Sequence, residues 1–285
     1  MKKISFEEYQ KKLIDVYDKV NEKFEKLNII WWANSGTLLG AIREQNIIQW
    51  DDDIDMSMIG FDFFQNLNKI NKVCSELNLE LFNPNKRKGL DIARIFSKEK
   101  YIVEYNGQEY ITAIFIDIML ALESKKMTKI KRNTWWIFNR YVWIYGNFYR
   151  ILPYYGWVNG KAKKINWFTN FLVFLSKLIL FIPTFWMPYL QNWYIKRKSK
   201  NGKYYSLFYN YNNKGIQYQR NMFNNKIKFA NTYVRVPDNY EKELQIWFGK
   251  NYLTKPSKEK RIPHNLILTP NKKNINYKIK PFLIK

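Results

Sequence analysis

A single cysteine, Cys74, rules out an intrachain disulfide, which suits a reducing compartment. It lies in an amphipathic segment spanning about 62–77 and reads as a buried structural thiol. The N-terminus lacks the apolar core of a signal peptide, because Lys2 and Lys3 lead into a polar helix. Ser5 and Glu8 stand in capping-box spacing at its start, and Leu13, Val16, Val20, Phe24 and Leu27 form one stripe that should pack on a sheet. Internal repeats are missing, and turn clusters such as Asn83-Pro84-Asn85 are too short to mark a flexible linker. One sign of charge is also missing from a long stretch. Ser124 to Pro237 holds 21 Lys or Arg and no Asp or Glu, whereas residues 1–62 hold 8 basic and 12 acidic side chains.

That middle stretch reads as a distinct module, rich in aromatics such as Trp135-Trp136-Ile137-Phe138 and Trp143-Ile144-Tyr145. Its apolar run, 167–190, admits three readings. A transmembrane span is long enough but is interrupted by Asn170, Lys177, Pro183 and Pro188. A peripheral helix pair on an anionic membrane surface suits the Lys, Arg and Trp belts. A core-packed helical insertion with a basic surface is the third. Across all 285 residues, 46% hydrophobic content is ample for a sizeable core.

Against a formal net charge of +24, the run W-D-D-D-I-D-M from Trp50 to Met56 reverses the local sign. Four carboxylates this close repel one another, and a bound divalent cation is the cheapest way to keep them ionised. If the run is a strand, Asp51, Asp53 and Asp55 share one face. Upstream, Ile29 to Ala33 looks like a strand, followed by Asn34-Ser35-Gly36-Thr37 and a short helix. Unpaired N–H groups at such a helix start suit phosphate. Downstream, Ile114 to Leu120 is an apolar strand broken only by Asp117. Were it to lie beside the strand of Asp53 and Asp55, three carboxylates would converge on Mg²⁺ or Mn²⁺, the arrangement of in-line phosphoryl chemistry. With no His or Cys in these segments, a hard cation fits better than Zn²⁺.

S-G-T-L-L-G-A-I-R, then I-I-Q-W-D-D-D-I-D, then F-I-D-I resembles the LicD family, whose signature fukutin-related proteins share. The family is a branch of the nucleotidyltransferase superfamily, with a Gly-Ser/Thr turn, an Asp-x-Asp strand and a third strand acid. Here these map onto Gly36-Thr37, Asp53-Ile54-Asp55 and Asp117. A C-terminal piece of the family also appears, as V-P-D-N-Y-E-K-E-L-Q-I-W-F-G-K-N-Y and P-S-K-E-K-R-I-P-H, so the resemblance covers 28–120 and about 228–266. Met119-Leu120-Ala121-Leu122 stands where members often have F-P-L-D, so that later acid is absent. The resemblance implies transfer of a phospho-alcohol, phosphocholine in the best-known members, from a CDP-activated donor such as CDP-choline to a cell-surface glycan or its lipid-linked precursor. The chain would then act in the cytoplasm, on the inner face of the membrane.

Chemistry of this kind needs cations for the diphosphate, and Arg43, Arg94 and Arg261 lie near the matched motifs. His264 matches the family's C-terminal His and suits a donor-phosphate or acceptor contact, or a structural hydrogen bond, rather than the base. Asp117 would lie nearest the attacking hydroxyl and accept its proton. Two other functions share these features: nucleotidyl transfer to another acceptor, and non-enzymatic nucleic-acid binding through the basic and aromatic side chains, for which no recognised motif is present. The fold expected is α/β, a nucleotidyltransferase-like small mixed sheet flanked by helices. Its core would comprise 1–125, with a helical basic-aromatic region at 126–227 and a segment at 228–285 completing the core.

Overall fold

The computed structural model describes residues 1–82, 92–123, 155–158, 161–164, 193, 195–196, 203–206 and 216–266. Most of the basic-aromatic region, including 167–190, lies outside the described residues. Among those described, no helix is long and apolar enough to cross a membrane.

Strand β1 (Lys2–Ser5) leads into α1 (Phe6–Lys26), and the capping box forms at the junction. Ser5 Oγ accepts from the Glu8 N–H at 3.1 Å, and Glu8 Oε2 accepts from the Ser5 N–H at 2.9 Å. Two of the helix's otherwise unpaired donors are thus satisfied. Tyr9, Leu13, Ile14, Tyr17, Val20 and Phe24 form the buried face. Leu27, assigned to that stripe from sequence, follows the helix and is exposed. There Asn28 adopts a positive φ of 54°, and the Ile29 N–H turns back to the Phe24 carbonyl at 2.8 Å. This wrap shortens the strand expected over 29–33 to β2 (Trp32–Ala33).

Next come α2 (Ser35–Arg43), β3 (Ile54–Ile59), α3 (Gly60–Gln65) and α4 (Leu67–Glu76). The single helix expected over about 62–77 is broken at Asn66, whose side-chain amide donates to the Asp62 carbonyl at 3.0 Å. Cys74 is buried on α4, and burial pushes its thiol up to about 12. Strands β4 (Leu79–Phe82), β5 (Ile92–Tyr105) and β6 (Gln108–Glu123) follow. The main sheet runs β1-β5-β6-β3-β2, with β4 also on β5; β7 (Tyr155–Val158) and β8 (Lys161–Lys164) pair only with each other, and β9 (Lys203–Ser206) pairs with β6 and with β10 (Ile216–Gln219). The sheet is mixed: β3 and β6 are parallel, β5 and β6 antiparallel. This is the mixed α/β architecture expected.

Register follows from side-chain alternation. Ile54, Met56 and Met58 of β3, and Ile116, Ile118 and Leu120 of β6, enter the core that α1 covers. Each such side chain contributes about 1.5–3 kcal/mol when fully buried. A one-residue slip would turn Asp55, Ser57 or Asp117 into the core in their place, so the pairing of Asp55 with Asp117 is strongly specified.

The C-terminal part adds a hairpin, β11 (Lys226–Phe229) and β12 (Thr232–Arg235), and helix α5 (Tyr240–Phe248). Arg235 grips both Glu25 oxygens at 2.9 and 2.7 Å. The Tyr17 hydroxyl donates to the Tyr233 carbonyl at 3.1 Å, and the Ala230 N–H to the Gln45 carbonyl at 2.7 Å. The hairpin therefore packs on the N-terminal half.

Candidate active site

Strand β3 begins at Ile54, so of the four neighbouring aspartates only Asp55 lies in regular strand. Asp51 to Asp53 occupy the preceding turn, which α1 fastens from below. The Tyr9 hydroxyl donates to the Asp52 carbonyl at 3.1 Å, and Gln10 Nε2 to the Asp51 carbonyl at 2.7 Å. As a result the acids divide into two groups rather than one alternating row. In Asp53, Asp55 and Asp117, one carboxylate oxygen from each lies within 4.8 Å of the others; Asp51, Asp52 and Asp53 form a second group by the same measure. Either could hold a metal ion. The first is an all-oxygen set with no His or Cys, the donor chemistry of a hard divalent cation.

Electrostatics agree with that fit. Burial, then the charges of Asp52 and Asp117, push Asp53 up to about 7, although Arg94 and Asn265 pull the other way. Asp55 is pushed well above the ordinary carboxylate range by burial and by Asp53 and Asp117. Asp51 is raised likewise, by burial, Asp53 and Asp52. A divalent cation relieves that shared repulsion.

The turn before α2 supplies the other wall. Asn34 caps the helix: its Oδ1 accepts from the Ser35 N–H at 2.6 Å, and its amide donates to Ser57 Oγ at 2.5 Å. Thr37 Oγ1 accepts the Asp55 N–H at 2.8 Å, tying the helix start to the strand that carries Asp55. The Ser35 hydroxyl bonds the Asp55 side chain and favours its charged form. Gly36 is pressed against Asp51, and a Cβ there would collide with Asp51 Oδ2. Ser35, Gly36 and Thr37 thus all meet the acid cluster, with the positive end of a nine-residue helix beside it.

Arg94, on β5 opposite Asp117, is the cation of the site. Its Nε donates to Asp117 Oδ1 and its Nη2 to Asp117 Oδ2 at 2.5 Å, while the guanidinium lies 4.2 Å from the Phe115 ring centre. Burial opposes the charge, but Asp117, Asp53 and Asp55 more than offset it and raise the pKa. Both Asp117 oxygens therefore face Arg94, which was not visible from sequence. Arg43 and Arg261 instead flank Trp50, 5.6 and 5.3 Å from its ring. Arg43 also pairs with Glu44 at 2.7 Å, and Arg261 Nε donates to the Pro256 carbonyl at 2.9 Å.

Asp52 does a separate job. Its buried carboxylate accepts the His264 N–H at 3.1 Å, the Asn265 N–H at 2.9 Å and the Leu266 N–H. Burial raises its pKa to about 6, and those three bonds restrain the rise. Asn265 Nδ2 donates to Asp53 Oδ2 at 2.7 Å. The C-terminal segment is thereby clamped to the acid turn, and His264 meets the cluster through its backbone. No signal in the sequence pointed to this role, because the partners of Asp52 lie more than two hundred residues along the chain.

Residues 28–153 match the family model LicD/FKTN/FKRP, nucleotidyltransferase domain. The chain is 36% identical over 97 residues to an uncharacterized protein of Rickettsia typhi, covering 28% of this chain and 31% of the relative. It is 30% identical over 110 residues to an uncharacterized protein of Rickettsia prowazekii, 32% of this chain and 41% of that one. Over 58 residues it is 40% identical to the lipopolysaccharide cholinephosphotransferase LicD of Haemophilus influenzae, 20% of this chain and 22% of the relative. The matched stretches thus span between about a fifth and two fifths of these relatives. Over residues 28–153, the stretch that carries all the clustered aspartates, the resemblance to the LicD family holds.

Proposed function

We propose that this protein is a metal-dependent transferase that moves a phospho-alcohol, phosphocholine foremost, from a CDP-activated donor to a hydroxyl of a cell-surface glycan or its lipid-linked precursor, releasing CMP. The observation that carries the reading is the convergence of Asp53, Asp55 and Asp117 beside the start of α2. Support comes also from the family match over the same residues and from the likeness to the Haemophilus lipopolysaccharide cholinephosphotransferase.

Mg²⁺ or Mn²⁺, when bound, would neutralise the donor diphosphate and polarise the phosphorus to be attacked. Asp53, Asp55 and Asp117 would hold it. Phosphoryl transfer asks little of a protein beyond alignment and charge neutralisation, and the chain's groups are arranged for both. Ser35, Gly36 and Thr37 would present the helix start to phosphate oxygens. Arg94, oriented by its two bonds to Asp117, would face the transferred phosphate. An oxygen–phosphorus bond forms to the acceptor, the bond to CMP breaks, and the acceptor's proton passes to a carboxylate of the cluster. Besides holding the metal and standing as the candidate for that proton, Asp117, whose two oxygens both accept from Arg94, would keep the guanidinium in place.

The chain would act on the inner face of the cytoplasmic membrane, with an anionic membrane surface as a partner of its basic-aromatic region. The test is incubation with CDP-choline, CDP-ethanolamine, CDP-ribitol or CDP-glycerol, Mg²⁺ and crude cell-envelope glycan, with CMP measured. Release is expected with one or more donors, and Asp53→Asn or Asp55→Asn should abolish it while the circular dichroism spectrum is kept. Near-normal release by either variant, or none with any donor, overturns the assignment.

A further inference from the structure

Each of the three carboxylates proposed to hold the metal ion meets a different holder. Asp117 is gripped by the Arg94 guanidinium, and Asp55 is bonded by the Ser35 hydroxyl. Asp53 has Asn265, whose Nδ2 donates to its Oδ2 at 2.7 Å. Of the three, Asp53 alone lies outside the sheet, in the turn before β3, so no strand ladder sets its position. Its neighbours Asp51, Asp52 and Asp117 are like charges that push its carboxyl away. It is also the member common to both groups of acids that could take a metal ion.

Asn265 is itself fixed by its surroundings. Its own N–H and those of His264 and Leu266 donate to the Asp52 carboxylate. Pro263 and Leu266, on either side, are buried, Leu266 within the main core, and the Arg261 carbonyl accepts from the Tyr105 hydroxyl at 3.3 Å. The half-buried side chain therefore reaches Asp53 from an anchored backbone, and it bonds the Asp52 side chain as well. An ionised carboxylate only accepts hydrogen bonds, so the amide presents its NH₂ group. Such a donor fixes the rotation of the carboxyl, and carboxylates that bind metal ions are held in this way by hydrogen bonds from behind.

We infer that Asn265 is a positioning residue of the candidate active site, its side-chain amide holding the Asp53 carboxyl in the orientation that a divalent cation shared with Asp55 and Asp117 requires. A side chain 212 residues beyond Asp53 thereby completes the site, which is assembled only once the C-terminal segment has docked. This rests on the metal reading of the acid cluster, and metal binding tests it without turnover. Removing the hydrogen-bond partner of a metal ligand costs about 10–100-fold in metal affinity. The coupling is reciprocal: if docked Asn265 favours the ion, the ion favours docking.

The experiment titrates Mn²⁺ into the intact protein by isothermal calorimetry, for wild type, Asp55→Asn, Asn265→Ala and Asn265→Leu, the last of which keeps the volume but lacks the donor. Amide hydrogen exchange at 264–266 and thermal unfolding run alongside. Both Asn265 variants should bind Mn²⁺ about tenfold or more weakly than wild type. Their amides at 264–266 should stay protected in the metal-free protein, because the backbone bonds to Asp52 survive both substitutions. Saturating Mn²⁺ should slow exchange there in wild type more than in the variants. Should one variant unfold, the other decides. Wild-type affinity in the Asn265 variants overturns the inference, and the metal site still stands if Asp55→Asn has lost Mn²⁺. Weaker binding with protection at 264–266 abolished also overturns it, assigning Asn265 to the clamp alone. No binding of Mn²⁺ to wild type overturns both ideas. Weaker binding in the Asn265 variants with protection kept, but no CMP release from any donor, retains the positioning role and refutes the transferase.

Discussion

Replacing Asp52 by alanine should detach the C-terminal segment from the acid turn. Three backbone N–H groups, those of His264, Asn265 and Leu266, converge on this buried carboxylate. Each hydrogen bond to a charged acceptor contributes about 1.5–3 kcal/mol, and each buried donor left unpaired costs about 1–3 kcal/mol. The bonds share one carboxyl and do not add fully, so the expected loss is about 3–5 kcal/mol. That is a large part of a domain's total stability of roughly 5–15 kcal/mol. Asp52→Asn keeps one acceptor oxygen; with that oxygen toward the Asn265 and Leu266 donors, only the His264 bond is lost, at about 1–3 kcal/mol. Urea unfolding gives the stability change, and amide hydrogen exchange at 264–266 locates it: protection should fall at those amides more than in β3 or β6. A loss under about 0.5 kcal/mol for Asp52→Ala, a size ordinary for surface substitutions, together with unchanged exchange there, would refute the clamp.

The close approach of Gly36 makes a second expectation. Gly36→Ala places a methyl against Asp51 Oδ2, so the carboxylate must move; Mn²⁺ affinity by isothermal titration should fall several-fold with unfolding temperature little changed, and unaltered affinity would argue against Asp51 bordering the metal position. Glu243 carries a pH signature of its own. Its folded pKa, about 8, lies above the ordinary glutamate value, so the folded chain keeps a proton that the unfolded chain releases. Stability should then fall as pH rises from about 4.5 to about 8 and level off above, and Glu243→Gln should flatten this slope by on the order of a few kcal/mol relative to wild type. Parallel pH profiles for the two proteins would contradict the burial of this carboxyl as a neutral acid.

Local signals in the chain carried much of the fold. Ser5 and Glu8 announced a helix start because a capping box is a contact within one turn. Asp117 was legible as a group in need of a partner because a lone carboxylate inside Ile114 to Leu120 must be paired wherever the strand goes. The break at Asn66 was not legible, since the apolar spacing of 62–77 runs through it; the Asn66 side chain bonds the Asp62 carbonyl there. Nor was the fate of Arg43, which depends on Trp50 and Arg261, far along the chain, sharing its ring.

By itself the sequence determined which groups this protein has to work with: the unmatched acids, the small-residue turn before a helix, and the alternation that forces carboxylates and aliphatic side chains onto opposite faces. Those are short-range properties, set by backbone geometry and by the cost of burying charge. Tertiary structure alone decided who meets whom. It gave Asp117 to Arg94, turned Asp52 away to clamp a segment more than two hundred residues on, and buried Glu243 of α5 beside Tyr218 of β10. Such pairings arise only when distant elements pack, because a buried charge takes whichever partner the fold brings within reach.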